Sequence, residues 1–231
     1  MSVSEKTLSA LEVPALLAVP SVMVACVLLG VPATAGLTLL VACLSVLLML
    51  ASYEASRPLM RQLMPTVVLA AIAVAGRMAF SPFADVKPVS AICIVAGASL
   101  GRRSGFATGA LAALASNFFF GQGPWTPWQM YAWGLVGYLA GMLADRGLLE
   151  RPAAVYALGL SSGLLYGAVL NSWHILGFVR PLTWQTALAA YAAGFPLDVT
   201  HGVATAAFLL VIWGPWRRSI ARVVRKYGLA D

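Results

Sequence analysis

Two apolar segments of the chain are joined by the stretch Ser116-Asn117-Phe118-Phe119-Phe120-Gly121-Gln122-Gly123-Pro124-Trp125-Thr126-Pro127-Trp128-Gln129-Met130. Its middle carries two glycines, two prolines, two tryptophans and several amide side chains. Glycine and proline allow the backbone to turn, and tryptophan is favoured at the membrane–water interface. We therefore expect a turn between two membrane spans that can hold a ring-containing solute at the membrane surface.

The composition predicts a polytopic membrane protein. Hydrophobic residues make up 61% of the 231 residues and charged residues 10%, whereas soluble domains carry about 25% charged residues. Mean hydropathy is +0.86. The net charge of +7 does not indicate nucleic-acid binding, because the basic residues cluster at the ends of apolar segments. Cys26, Cys43 and Cys93 lie inside apolar runs and lack metal-ligand spacing, so no metal site is predicted.

Eight apolar runs are close to the length of a membrane span, which is about 17–25 residues. They lie near residues 13–32, 34–53, 63–80, 87–100, 104–121, 128–145, 153–172 and 187–214. We expect an all-α membrane helix bundle with eight spans. The first two runs lack internal polar residues, so the simplest division is an N-terminal two-helix addition (1–60), a six-helix core (61–214) and a basic cytoplasmic tail (215–231).

The tail carries apolar residues at helical spacing opposite a basic face: Ile220, Val223, Val224 and Tyr227. This pattern predicts a helix on an anionic inner leaflet. A docking surface for a cytoplasmic partner is the alternative.

Basic residues predict the orientation, because Lys and Arg are enriched on the cytoplasmic side of membrane proteins. With a cytoplasmic N-terminus, three of the fifteen basic residues face outward: Arg77, Lys87 and Arg180. The others face inward: Lys6, Arg57, Arg61, Arg102, Arg103, Arg146, Arg151, Arg217, Arg218, Arg222, Arg225 and Lys226. We expect a multi-pass protein of the cell membrane with both termini in the cytoplasm.

Polar groups at membrane depth need a partner or a water-filled cavity. Asp198 and His201 are three residues apart and share a helix face. They could brace the bundle, with Asp198 bonded to His201 or to Arg77, line a substrate cavity, or form a metal or proton-relay site. A metal would need more ligands than these two.

A solute site is predicted at the outer side of the core. Amide and imidazole groups would fix the solute by hydrogen bonds, and tryptophan rings would stack on it. The candidate residues are Asn117, Gln122, Trp125, Trp128, Gln129, Asn171 and His174, with Arg77 and Arg180 as further candidates. Trp133 and Trp184 are instead expected in an interfacial aromatic belt.

Enzymatic activity is not predicted, since the chain has neither a nucleophile motif nor a phosphate-binding loop. The run at 63–80 is rich in small residues, and Ala71 and Ala75 share one face. Small residues four apart let membrane helices approach closely.

From about residue 63 to 214 the chain resembles the substrate-binding S component of energy-coupling factor (ECF) vitamin transporters. The resemblance rests on Ala71/Ala75 followed by Gly76-Arg77, on Val86-Lys87-Pro88-Val89, on Ala96-Gly97-Ala98-Ser99-Leu100-Gly101 before Arg102-Arg103, and on the Ser116–Met130 stretch. Asp198-Val199-Thr200-His201 is similar to the final helix of that family. Residues 1–60 lie outside the resemblance, because such proteins usually have six spans.

The resemblance implies capture of a vitamin or cofactor precursor at the outer face, with the cobalamin-type subgroup most similar. It also implies import driven by a membrane coupling subunit and two ATPases, which would use ATP, with no covalently bound cofactor in this chain. Ala71 and Ala75 would then dock the coupling subunit. Two alternatives stay open: a stand-alone secondary transporter, and a membrane enzyme using Asp198 and His201.

Overall fold

The computed structural model describes residues 5–29, 34–56 and 60–227. This part of the chain forms eight α-helices, and no strand occurs in it. The helices are α1 (Glu5–Leu29), α2 (Thr34–Ala55), α3 (Met60–Ala79), α4 (Val89–Leu100), α5 (Arg102–Phe120), α6 (Thr126–Asp145), α7 (Pro152–Phe178) and α8 (Trp184–Tyr227). The predicted all-α bundle is confirmed, and each predicted apolar run corresponds to one helix.

Four of the described helices are long and apolar enough to cross a membrane: α1, α2, α7 and α8. The protein is therefore membrane-embedded. The other helices are shorter or less apolar. At 12 residues and about 1.5 Å per residue, α4 is roughly 18 Å long, less than the hydrocarbon thickness of about 30 Å.

The short helix α4 lies at the centre of the bundle. Every residue from Val89 to Gly97 is buried, and α4 contacts α3, α5, α6, α7 and α8. A helix that is apolar on all sides belongs in the interior. Because its neighbours separate it from lipid, α4 does not need the length of a span.

Glycines allow α4, α5 and α6 to approach closely. A Cβ atom placed on Gly105 would collide with the backbone of Gly97 and Gly137, and one placed on Gly97 would collide with the backbone of Gly137. Three helices therefore meet where no side chain separates their backbones, an arrangement typical of membrane helix packing.

The N-terminal hairpin α1–α2 is joined to the rest of the bundle by a buried polar cluster. The carboxylate of Glu12 accepts hydrogen bonds from Ser52 Oγ (2.5 Å), Arg103 Nε (2.5 Å) and Tyr138 Oη (3.0 Å). It also lies 3.4 Å from Arg102 Nε. The expectation that the first two spans lack internal polar residues is therefore wrong. The first helix begins at Glu5, eight residues before the predicted span, so Glu12 lies within it.

The last helix is longer than the sequence predicts. Helix α8 continues through Pro196 and Pro215 to Tyr227 and has 44 residues, roughly 66 Å at 1.5 Å per residue. This length is about twice the hydrocarbon thickness, so part of α8 extends beyond it. The predicted tail begins inside this continuous helix, and residues 228–231 of the tail lie outside the described residues.

Two ends of the bundle differ in chemistry, and we name each after its central charged residue. The Glu12 end contains the start of α1, the end of α2, the α4–α5 junction and the end of α6. The Arg77 end contains the end of α3, the start of α4, the α5–α6 turn and the start of α6. Hydrogen bonds of Arg77 and Asn117 join α3, α5 and α6 at this end, and Pro88, just before α4, lies against Gly76 of α3.

Candidate functional site

A buried arginine forms the centre of the Arg77 end. Arg77 lies near the end of α3 and is 8% exposed. Its Nη1 donates to Ser116 Oγ (2.5 Å) and to Asn117 Oδ1 (2.7 Å) on α5. The guanidinium carbon lies 4.7 Å from the centre of the Phe120 ring and 5.0 Å from that of Trp133. Arg77 is thus held by neutral oxygens and aromatic faces.

Amide side chains extend the hydrogen bonds from Arg77 across the bundle. Asn117 Nδ2 donates to Thr126 Oγ1 (2.9 Å) and to Gln129 Oε1 (2.8 Å) on α6. Gln129 Nε2 in turn donates to Tyr166 Oη on α7 (3.2 Å). These bonds connect α3, α5, α6 and α7, so the orientation of each amide is determined by its neighbours.

Aromatic contacts connect these residues to α8, and a hydrogen bond then connects α8 to α4. The ring of Tyr166 is stacked on Trp133, with centroids 5.0 Å apart, and lies 4.8 Å from the ring of His201. His201 Nε2 and Ser90 Oγ share a hydrogen bond of 2.7 Å. We call the residues Arg77, Asn117, Gln129, Trp133, Tyr166 and His201 the Arg77 cluster. Together with Ser90 of α4, it draws on every helix from α3 to α8.

The turn between α5 and α6 is built around Gln122 and Thr126. Gln122 Nε2 donates to the carbonyl of Leu114 (2.9 Å), and Thr126 Oγ1 donates to Gln122 Oε1 (2.9 Å). Gly121 has φ +95°, a conformation that glycine adopts without the strain of a side chain. Gln122 is exposed and stabilises the turn above the cluster.

The tryptophans of this region occupy different environments. Trp125 is half-buried, and its ring lies 6.4 Å from that of Trp173. Trp128 is 0% exposed and Trp133 is 2% exposed, so both belong to the bundle core. The expectation of Trp128 in an outer stacking turn and of Trp133 in an aromatic belt is therefore wrong, because both side chains point from α6 into the bundle. Trp184 is 73% exposed, as a belt residue would be.

Asp198 and His201 share no hydrogen bond. Asp198 Oδ2 accepts from Asn171 Nδ2 of α7 (3.0 Å), whereas His201 bonds to Ser90. Each residue therefore connects α8 to a different helix. A bracing role was one of the predicted alternatives, but the predicted partners, His201 or Arg77 for Asp198, are wrong.

Two further candidates lie at the α7–α8 connection. His174 is exposed and stacks on Phe178, with ring centroids 5.6 Å apart. Arg180 is exposed, and its Nη1 donates to the carbonyl of Val179 (2.7 Å). The described contacts do not bring His174 or Arg180 to the Arg77 cluster.

The loop between α3 and α4 adds a pair of opposite charges. Asp85 has φ +54°, a left-handed conformation that Asp adopts more readily than most residues. Burial raises the pKa of Asp85, and the nearby Lys87 opposes this shift. Burial lowers the pKa of Lys87; Asp85 opposes that shift, and the positive charge of Arg77 adds to it. Lys87 therefore lies within electrostatic range of the cluster.

Several residues of this region were not predicted from the sequence as members of the site. Among them are Ser90, Ser116 and Tyr166. Serine is common in membrane helix packing, so the two serines gave no specific signal. Tyr166 stands alone in an apolar run, and a phenol hydroxyl at membrane depth needs a partner; this was an available signal.

The predicted docking residues Ala71 and Ala75 are exposed on α3. Ala70 and Ala73, on other faces of the same helix, are buried. The Ala71/Ala75 face is therefore not used for packing within the described part of the chain.

Two apolar grooves open on the flanks of the bundle. One of about 300 Å³ lies between α1 and the α7–α8 connection, and includes Met23, Leu176 and Tyr191. The other, of about 440 Å³, lies between α3 and the end of α8, and includes Val68 and Ile220. Neither groove is lined by a predicted solute-site residue. Among the described residues, no group of three His, Cys, Asp or Glu side chains could hold a metal.

The fold and this site define a membrane-embedded helical protein with a polar and aromatic cluster inside six helices. Residues 56–223 match the family described as "Family of unknown function (DUF6580)", and the chain belongs to this family. The match includes α3 to α7 and most of α8, and begins after α2. No curated protein and no solved structure matches the chain.

Proposed function

We propose that the protein is the substrate-binding membrane subunit of an ECF-type transporter that captures a vitamin or cofactor precursor. The observation that carries this proposal is the Arg77 cluster. Five helices contribute a hydrogen-bonding or aromatic group to it, and α4 contacts it through Ser90. Small-molecule sites are usually built in this way, with few oriented polar groups among apolar and aromatic ones.

The expected orientation fits the same function. If the basic residues mark the cytoplasmic side, the arginines paired with Glu12 lie at the cytoplasmic end, and the Arg77 end would face outward. In this orientation the α5–α6 turn, with Gln122 and Trp125, covers the cluster on the side from which a solute arrives. The half-buried ring of Trp125 in this turn suits a ring-containing solute, of which a cobalamin-type cofactor is one candidate.

The energy source is proposed to lie in partner subunits. The sequence has no phosphate-binding loop, so a coupling subunit and two ATPases would have to supply ATP hydrolysis through a protein contact. The exposed Ala71/Ala75 face of α3 is the proposed contact, because small side chains leave room for a second helix in lipid.

The test is solute uptake by cells that express the protein with a coupling subunit and two ATPases encoded in the same genome. The cells receive a defined mixture of B vitamins including cobalamin, and depletion of each vitamin is followed by mass spectrometry. We expect depletion of one solute that requires all the subunits and an intact ATPase site. Uptake by this chain alone, driven by an ion gradient, would instead establish the stand-alone secondary transporter.

A further inference from the structure

Within the described part of the chain, the positive charge of Arg77 has no anionic partner. Among the described residues, no carboxylate oxygen lies within 4.0 Å of the Arg77 guanidinium. The ion pairs of these residues are at the Glu12 end, where Arg102 and Arg103 pair with Glu5 and Glu12. A charged side chain inside a membrane protein is costly, and such groups are almost always paired or face a polar cavity. The Glu12 end follows this rule, since its buried carboxylate has two arginines.

The carboxylates of Asp85 and Asp198 do not pair with Arg77: the ion pairs among the described residues join only Arg102 and Arg103 to Glu5 and Glu12. Asp198 accepts a hydrogen bond from Asn171, and Lys87 donates to the carbonyl of Phe83 (3.1 Å). Lys87 adds a second positive charge within electrostatic range of Arg77.

Two buried N–H groups on neighbouring side chains also lack acceptors. Arg77 Nε and Trp133 Nε1 have no hydrogen-bond partner among the described residues, and the guanidinium carbon of Arg77 lies 5.0 Å from the centre of the Trp133 ring. Buried donors are almost always paired in native structures, and exceptions often mark an absent ion or water. Unmatched positive charge and unmatched donors thus occur in the same place, and both are satisfied by an acceptor that carries negative charge.

We infer that the solute is an organic anion with a flat ring, and that its carboxylate or phosphate group binds the guanidinium of Arg77. This inference rests on the proposed function, namely that the Arg77 cluster binds a solute. An anionic oxygen would accept from Arg77 Nε as a charge-assisted hydrogen bond, while Trp133 Nε1 offers a second donor. The ring of Phe120, which is 42% exposed, would pack against the ring of the solute.

The first experiment identifies what the protein carries. Small molecules are extracted from the detergent-solubilised wild type, Arg77→Gln, Arg77→Lys and Arg146→Gln, and are analysed by mass spectrometry. Arg146 is the matched control, since it is exposed at the far end of α6 and bonds to the carbonyl of Met142. We expect a solute that is anionic at neutral pH, reduced at least about tenfold in Arg77→Gln, partly retained in Arg77→Lys and unchanged in Arg146→Gln.

The second experiment needs neither a known solute nor a stable variant. Benzoate, phenyl phosphate and benzamide are titrated into the solute-depleted wild type, and tryptophan fluorescence and the unfolding temperature are recorded. We expect at least one of the two anions to raise the unfolding temperature, and benzamide to have no such effect. The anion that raises the unfolding temperature more shows whether the site prefers a carboxylate or a phosphate group.

The outcomes separate the two proposals. A neutral or cationic solute that Arg77→Gln retains would overturn the anion inference and leave the proposed function standing. A wild type that carries no solute, and imports none, would contradict the proposed function. Equal responses to the anions and to benzamide, or none to any of them, would overturn the anion inference.

Discussion

Glu12 of α1 and Arg103 of α5 are 91 residues apart in the chain and form an ion pair of 2.5 Å inside the bundle. Arg103 also donates to Glu5 (3.0 Å), which ties the first turn of α1 to the same residue. The start of α1 and the α4–α5 junction therefore lie at one end of the bundle. The N-terminal hairpin is part of the folded unit, although the family match begins after it.

Loss of the Glu12 charge is expected to destabilise the protein. In Glu12→Gln the side chain keeps its shape, but Arg102 and Arg103 lose their buried counter-charge. Removing one member of a buried ion pair costs on the order of 3 kcal/mol. The measurement is unfolding in detergent followed by tryptophan fluorescence. Glu54→Gln is the control, because Glu54 is exposed at the end of α2; equal stability of the two variants would contradict the role of Glu12.

Gly105→Ala is expected to disturb the packing of α4, α5 and α6. Its new Cβ would collide with the backbone of Gly97 and Gly137, and overpacking of this kind costs about 1–3 kcal/mol. Gly36→Ala is the matched control, since among the described residues nothing beyond the local backbone of its own helix lies within 4 Å of the Cβ position at Gly36. Size-exclusion chromatography and thermal unfolding should show a loss for Gly105→Ala and none for Gly36→Ala. A stable Gly105→Ala protein would mean that the helices can separate at no cost.

Asp85→Asn is expected to be more stable than the wild type at neutral pH, and this advantage is expected to be smaller at acidic pH. Burial raises the pKa of Asp85 in the folded state, so folding favours its protonated form. The stability that comes from this group is complete at low pH and is lost as the pH rises through the raised pKa. Asparagine mimics the protonated form and tolerates the positive φ.

The corresponding measurement is the difference in unfolding temperature between Asp85→Asn and the wild type from pH 4 to pH 8. This difference should increase with pH. A difference that decreases with pH would show that the attraction of Lys87 outweighs the burial of Asp85.

Ala75→Trp is expected to abolish uptake while solute binding persists. Ala75 is exposed on α3, so the larger side chain can be accommodated in the single subunit but blocks close approach of a partner helix. Val211→Trp is the control, because Val211 is exposed on α8. Co-purification with the coupling subunit should fail only for Ala75→Trp. If both variants assemble and import solute, the docking surface lies elsewhere on the chain.

The positions of the helices along the chain could be predicted from the sequence, but the helices that pack against one another could not. Apolar length is a local property, so all eight helices were found and their boundaries were missed mainly at polar ends. Glu12 was missed because it precedes the predicted first span by one residue, although the helix begins at Glu5. Sequence spacing does not say which distant helix faces a given residue, so Asp198 was paired with the wrong partners.

The candidate site was only partly predictable for the same reason. Asn117, Gln129 and Arg77 stood out because polar groups are rare in apolar helices, and the structure brings these three together. Trp133 was assigned to the membrane interface because it is near the end of a predicted span. The local sequence does not show whether a tryptophan there faces the lipid or the interior of the bundle. Only tertiary packing shows that its ring lies between Arg77 and Tyr166.

The central claim is that the Arg77 cluster binds a solute, and native mass spectrometry of the intact protein tests it most directly. Wild type is compared with Gln129→Leu, which removes the bonds to Asn117 and Tyr166, and with Trp184→Ala as a control on an exposed side chain. The account predicts one solute adduct per chain in the wild type and in Trp184→Ala, and at least about tenfold less in Gln129→Leu. An adduct that Gln129→Leu retains in full, or a wild type that never carries one, would contradict it.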